Sequence, residues 1–143
     1  MADVMTPDQR RRCMSRIRAK ETKPEIAARK WLYIHGIRYR KNDRQLPGTP
    51  DIVIPNGRIA VFVNGCFWHG HEGCRYFVIP KTRTEWWARK ISATRERDRN
   101  KEAELEGMQW TVITIWECEL EQAFDSTMES LLSTIMSIRA VQK

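Results

Sequence analysis

The feature that most restricts how this chain can fold is the loop after the apolar run Ile59 to Val63, which reads Asn64-Gly-Cys-Phe-Trp-His-Gly-His-Glu-Gly-Cys74. The apolar run has the composition of a buried strand. Between Cys66 and Cys74 the loop holds two cysteines and two histidines, with Phe67 and Trp68 among them. Thiolates and imidazoles so spaced can close around a tetrahedral metal, above all zinc. Two adjacent aromatics on a glycine-flanked loop cannot both enter one core. The loop is therefore expected to be a metal-braced platform that presents aromatics and one spare histidine.

The donors can be counted. Cys66-x4-His71-x2-Cys74 supplies three, and Cys118, at the expected end of a later strand, supplies a fourth. A closed set of three cysteines and one histidine is structural rather than catalytic. The alternative is that these are ordinary buried cysteines. Cys13 is left over as a plain free thiol. No apolar run approaches the ~20 residues of a membrane span, and the N-terminus lacks a signal-peptide core. A cytoplasmic protein with no membrane partner is expected, and there cysteines serve as metal ligands or thiols rather than disulfides.

With 143 residues the chain should form one domain, 1–143, around a single core. Thr6-Pro7 opens a basic helix to about Ala19, with Met14 and Ile17 its main apolar points. Thr22-x-x-Glu25 is a capping box for a helix to about His35, with Ile26, Ala27, Trp31 and Leu32 (or Ile34) on its inner face. Gly36 should stop that helix. Strands are expected at Ile37–Lys41, Asp51–Ile54 and Arg58–Val63, the last two joined at Pro55-Asn-Gly57. Thr82-x-x-Glu85 should cap a long helix to about Glu106, ended by Gly107. Thr111–Trp116 reads as a strand, and Ser126-x-x-Glu129 as the cap of a last helix with Met128, Leu131, Leu132, Ile135 and Ile138 on one face. The order α-α-β-β-β-α-β-α gives an α/β fold: one mixed sheet with helices on its faces, the Thr111 strand returning parallel.

Charge points to the partner. From Gln9 to Arg44 there are 13 Lys/Arg against three acids, a local +10, within a net +7. A basic N-terminal quarter, residues 1–20 above all, suits a polyanion, most directly nucleic acid. A solvated basic helix face is the blander alternative.

The remaining chemistry lies near the loop. Asp51 opens one strand of a hairpin, and the facing strand ends at Val63-Asn64. A carboxylate and a backbone carbonyl so placed can hold Mg2+, which polarises a phosphate. The second acid and following lysine usual in such sites are absent, Phe62 and Asn64 standing there instead. His69, once His71 is a metal ligand, is free to take a proton from an attacking water, with Glu25 as a carboxylate that orients it. Phe67, Trp68 and one of Trp86 and Trp87 are candidates to wedge between bases, whereas Trp31, Trp110 and Trp116 fit periodic core positions.

These pieces together resemble a known family. Leu46-Pro-Gly-Thr-Pro-Asp51, Asn64-Gly-Cys-Phe-Trp-His69, Thr84-Glu-Trp-Trp87, Glu96-Arg-Asp-Arg99 and Trp116-Glu-Cys118 are similar to the very short patch repair (Vsr) endonucleases, and the resemblance covers nearly the whole chain. It implies a restriction-endonuclease-like fold with a structural zinc site. It implies an enzyme that uses Mg2+ to nick one strand of double-stranded DNA on the 5′ side of the thymine at a T·G mismatch left by deamination of 5-methylcytosine. By the same resemblance Asp51 and the Val63 carbonyl hold Mg2+, His69 is the general base supported by Glu25, and Phe67, Trp68 and Trp87 intercalate. Cys66, His71, Cys74 and Cys118 hold zinc, and Asn64 and Asp98 support the active site. A monomer acting at the nucleoid, with mismatch-repair proteins as further partners, is the implied setting. The chain departs from the family at Val63-Asn64, where Thr-His is frequent; Asn64 cannot place a positive charge on the phosphate. Two other readings remain open: a DNA endonuclease not restricted to T·G, and a zinc-braced DNA-binding module that has lost catalysis.

Overall fold

The structure, a computed structural model, describes residues 23–74 and 77–141. The expected basic helix from Thr6 to Ala19, the Thr22 cap and Cys13 lie outside the described residues. Helix α1 spans Lys23–Ile34. Its buried face is Glu25, Ala28, Arg29 and Leu32; of the expected face Leu32 is buried and Trp31 packs against the core, while Ile26 is only half-buried and Ala27 is exposed. The two charges can turn inward because Arg29 Nη1 donates to Glu25 Oε1 at 2.9 Å, which offsets their desolvation. Ile34 is left 77% exposed. Gly36 stops the helix as expected: its N–H donates to the Tyr33 carbonyl and that of Ile37 to the Leu32 carbonyl.

Four strands follow: β1 (Arg40–Lys41), β2 (Ile52–Ile54), β3 (Ile59–Asn64) and β4 (Thr111–Trp116), laid side by side in that order. The edge strand keeps only two of the five residues expected. β1 and β2, and β2 and β3, pair antiparallel, while β3 and β4 pair parallel from Ile59↔Thr111 to Asn64↔Trp116. Helix α2 (Thr84–Gly107) makes the crossover. β2 is buried throughout and β3 nearly so, as befits strands covered on both faces. Ile52, Ile54, Ile59, Val61, Val63 and Ile115 share one core with Ala28 and Leu32 of α1.

Two helices close the chain. A short α3 (Glu117–Gln122), not expected from the sequence, follows β4 without a break. The Glu119 carboxylate makes this turn possible by accepting the Trp116 N–H at 3.0 Å. Cys118 therefore sits in the first turn of a helix rather than at a strand end. Helix α4 (Phe124–Val141) buries Met128, Leu131 and Ile135, with Leu132 and Ile138 packed beside them, the face expected.

The ends of α2 depart from expectation. Arg83 takes a left-handed φ of 57° at its N-cap and no side chain caps it. Thr84 Oγ1 instead donates to the Pro80 and Lys81 carbonyls. At the other end Gly107 is still helical, and the left-handed residue is Gln109, φ 68°. Only Ile91 and Leu105 of α2 are buried, and Asp98 stands midway between them at the seven-residue interval. Asp98 thus lies on the inward stripe of the helix, where an apolar side chain would be usual.

Candidate active site and metal centre

The site lies where β3 runs out. Asp51, 7% exposed, immediately precedes β2, and its Oδ2 accepts the Val63 N–H at 2.7 Å. The carboxylate is thereby anchored to the end of the neighbouring strand. A cleft of about 210 Å³ opens beside it, lined among others by Asp51, Val63, Asn64, His69 and Asp98. The sequence-predicted Mg2+ ligand, candidate base and both supporting residues thus face one space. The Pro50-flanked turn forms one wall: the Thr49 N–H donates to the Leu46 carbonyl at 3.1 Å, and Gly48 has a φ of 77°.

His69 is held from α2. Its Nδ1 lies 2.6 Å from Asp98 Oδ2. A carboxylate only accepts, so Nδ1–H donates and Nε2 carries the lone pair, the posture of a general base. The orienting carboxylate in contact with His69 is thus Asp98. Glu25, 1% exposed, is ion-paired to Arg29 rather than to His69, and the charges of both Glu25 and His69 are felt at Glu117. Burial pushes the Glu117 carboxyl above its ordinary range; Glu121 and Glu25 add to the rise, and His69 opposes it. Sequence reasoning passed over Glu117. It also missed Lys101 and Glu102, which α2 brings into the cleft one turn beyond Asp98. The signal was available: 98, 101 and 102 are i, i+3 and i+4 on one helix. The Glu102 carboxylate accepts from Thr114 Oγ1 at 3.3 Å. Oxygen donors from Asp51, Asp98, Glu102 and Thr114 make the cleft suited to a hard divalent cation.

The loop after β3 is clamped to α2. Arg95 Nε donates to the Gly70 carbonyl at 3.0 Å, Nη2 donates to the same oxygen, and Nη1 lies 3.4 Å from Glu72 Oε1. A side chain at Gly70 would meet Arg95 and Ile91 at 2.5 Å, so only glycine admits this clamp. Phe67 and Trp68 meet Trp87 of α2 with ring centroids 5.3 and 6.0 Å apart, and Trp86 stands edge-on to Trp87 at 4.8 Å. Phe67, Trp68 and Trp87 are all only half-buried. They form one cluster beside His69. Trp86, 40% exposed, is flanked by Arg83 and Lys90.

On the other side of the loop, the ligand atoms of Cys66, His71, Cys74 and Cys118 all lie within 4.8 Å of one another. Bonds of ~2.3 Å from sulfur to a tetrahedral zinc put sulfurs about 3.8 Å apart, so the four are grouped as such a site requires. Burial pushes the Cys66 thiol up to about 12, and the Cys118 backbone N–H pulls back against that rise. A cation bound beside the thiol would favour the thiolate and offset this rise. Trp116, expected in the core, is instead half-buried and stacked on His71 with centroids 4.0 Å apart and planes 6° from parallel. It fixes the plane of the His71 imidazole.

Comparison with known proteins bears on this arrangement. The family model described as DNA mismatch endonuclease Vsr matches residues 2–75. The chain is 46% identical over 134 residues to "Type II nicking enzyme V.XorIIP" of Xanthomonas oryzae pv. oryzae, covering 92% of this chain and 98% of that protein. It is 47% identical over 121 residues to "Type II nicking enzyme V.NmeAIP" of Neisseria meningitidis serogroup A, covering 85% and 86%. It is 39% identical over 131 residues to "DNA mismatch endonuclease Vsr" of Escherichia coli, covering 92% and 83%.

Proposed function

The chain belongs to the Vsr family of DNA mismatch endonucleases, and from that premise we propose that it nicks one strand of duplex DNA 5′ of the thymine in a T·G mismatch, using Mg2+ in the Asp51 cleft. The observation that carries this reading is the shared loop. His69 faces the cleft while Phe67 and Trp68, on the same few residues, join Trp87 in an aromatic cluster at its edge. A base and a wedge then move as one body.

In this mechanism Asp51, Val63 through its carbonyl, and the neighbouring oxygen donors hold the ion. When bound, Mg2+ supplies Lewis-acid stabilisation to the phosphate and the leaving oxygen. His69 Nε2 accepts a proton from the attacking water as that oxygen bonds to phosphorus. The phosphorus bond to the leaving sugar oxygen then breaks, and that oxygen takes a proton from solvent water. Asp98 keeps the imidazole in the accepting tautomer and steadies the charge it gains. Asn64 lines the cleft and offers the phosphate an uncharged amide. The ring cluster inserts into the duplex, and a wobble pair lowers the unstacking cost relative to a Watson–Crick pair. Cys66, His71, Cys74 and Cys118 hold zinc and brace the loop. The protein works as a monomer, and residues 1–20 add phosphate contacts.

Nicking of matched T·G and C·G duplexes, with Mg2+ and with EDTA, tests the reading. Single-strand cleavage of T·G alone, abolished by EDTA, is the expected result. Equal cleavage of C·G would favour an endonuclease without mismatch preference, a reading to which the relatives named only as nicking enzymes give some weight. No cleavage of either would leave only a DNA-binding module.

A further inference from the structure

The cleft has an imbalance of charge that the mechanism above does not resolve. Asp51, Asp98 and Glu102 bring three carboxylates to a space that must also take a phosphodiester, more negative charge than a bound Mg2+ alone would offset, and among its described lining residues the only Lys or Arg is Lys101. Lys101 is carried by α2 at i+3 from Asp98, so its stem rises on the helix face that holds the His69 carboxylate partner.

Two observations bear on where its ammonium goes. The stem is pinned: the space a Cβ on Gly48 would fill lies 3.0 Å from Lys101 Cβ and 3.3 Å from its Cγ. The Leu46–Thr49 turn therefore rides on the lysine stem, and Lys101 is among the residues that line the cleft. The ammonium itself is 3.6 Å from Glu104 Oε1, in a pair whose side chains are 45% and 52% exposed. Ion pairs so exposed hold weakly, so a better anion can draw the ammonium away.

We infer that Lys101 is the phosphate-contacting cation of the active site: it leaves Glu104 when DNA binds and donates to a non-bridging oxygen of the scissile phosphate. This rests on the proposed nicking reaction at Asp51. The contact strengthens as water adds to phosphorus, because the non-bridging oxygens gain negative charge before the leaving oxygen departs. A donor aimed at such charge acts mainly on the chemical step. Lys101 thus supplies, from a helix, the positive charge that Asn64 at the strand end cannot.

The test is single-turnover nicking of T·G duplex by Lys101→Met, Lys101→Gln, Lys101→Arg and Glu104→Gln. Lys101→Met and Lys101→Gln keep the stem that supports the Gly48 turn, and melting curves for both report on folding. We expect a rate loss on the order of ten- to a hundredfold, ~1.4 to 2.8 kcal/mol, with little change in duplex affinity. Lys101→Arg should recover most of the rate, and Glu104→Gln should not lower it. The same variants are then assayed on the two phosphorothioate diastereomers at the scissile position. If Lys101 touches one non-bridging oxygen, its loss and sulfur substitution at that oxygen are non-additive on one diastereomer and additive on the other. Full rate in folded Lys101→Met, or additive losses on both diastereomers, overturns this assignment while leaving the nicking reaction standing. Wild-type protein that does not nick at all overturns both.

Discussion

His69 and Asp98 are the pair on which the proposed chemistry turns, and their separation of 2.6 Å makes each sensitive to the other. Asp98→Asn replaces an acceptor with a side chain that can donate to Nδ1, which would favour the wrong tautomer. A fall in nicking rate of about 10²-fold, with T·G binding unchanged in a gel-shift or anisotropy titration, is expected for this variant; general-base contributions span about 10²–10⁴. His69→Ala should lose at least as much, and the double variant no more than His69→Ala alone, since both act through one imidazole. Losses that multiply would mean that Asp98 serves the cleft by another route. At the metal centre, Cys118→Ser removes one of four grouped donors. Bound metal contributes folding energy directly, so this variant should lose zinc by metal analysis and melt at lower temperature, whereas Cys13→Ser should keep both. Well-folded wild-type protein that carries no zinc would contradict the assignment.

At the scale of elements, the loop from Asn64 to Cys74 is held from two sides: its Cys66, His71 and Cys74 group with Cys118, and its middle, at Phe67 and Gly70, is held by Trp87 and Arg95 of α2. Its aromatics can thus meet DNA without the loop first having to order. Trp68→Ala should lower nicking of T·G and narrow its advantage over C·G, with zinc content unchanged; a difference of ~1.4 kcal/mol between the pairs is about tenfold in rate. Undiminished rate and preference would make Trp68 a packing residue. Much of this loop was legible in the sequence, because donor spacing, adjacent aromatics and flanking glycines are local signals. The antiparallel hairpin and the parallel return of β4 were legible too, from apolar runs and one long crossover helix. What escaped depends on tertiary pairing. The inner face of α1 was misread because Glu25 and Arg29 are buried as a pair, a choice that hydrophobicity alone cannot reveal. α3 was missed because Glu117-Cys-Glu-Leu-Glu-Gln122 has one apolar residue and no glycine or proline before it. Trp116 looked like core, since only the position of His71 turns it into a stacking partner.

Over the whole molecule, the division of labour is between a basic N-terminal quarter and a cleft rich in carboxylates. The local +10 between Gln9 and Arg44 should dominate affinity for any duplex. Binding should therefore fall steeply with salt, by about 0.9 log units per log unit of salt for each phosphate neutralised. Truncating residues 1–20 should flatten that slope more than any single change in the cleft. Among the described residues no helix is long and apolar enough to cross a membrane. The proposed reaction depends most on Asp51, the carboxylate anchored to Val63 at the cleft. The direct measurement is Asp51→Ala against wild type on one T·G duplex, with strand cleavage and equilibrium binding read in parallel at fixed salt and Mg2+. Cleavage should disappear while binding stays within a few-fold of wild type. Cleavage at the normal rate would show that the reaction takes place elsewhere on the molecule.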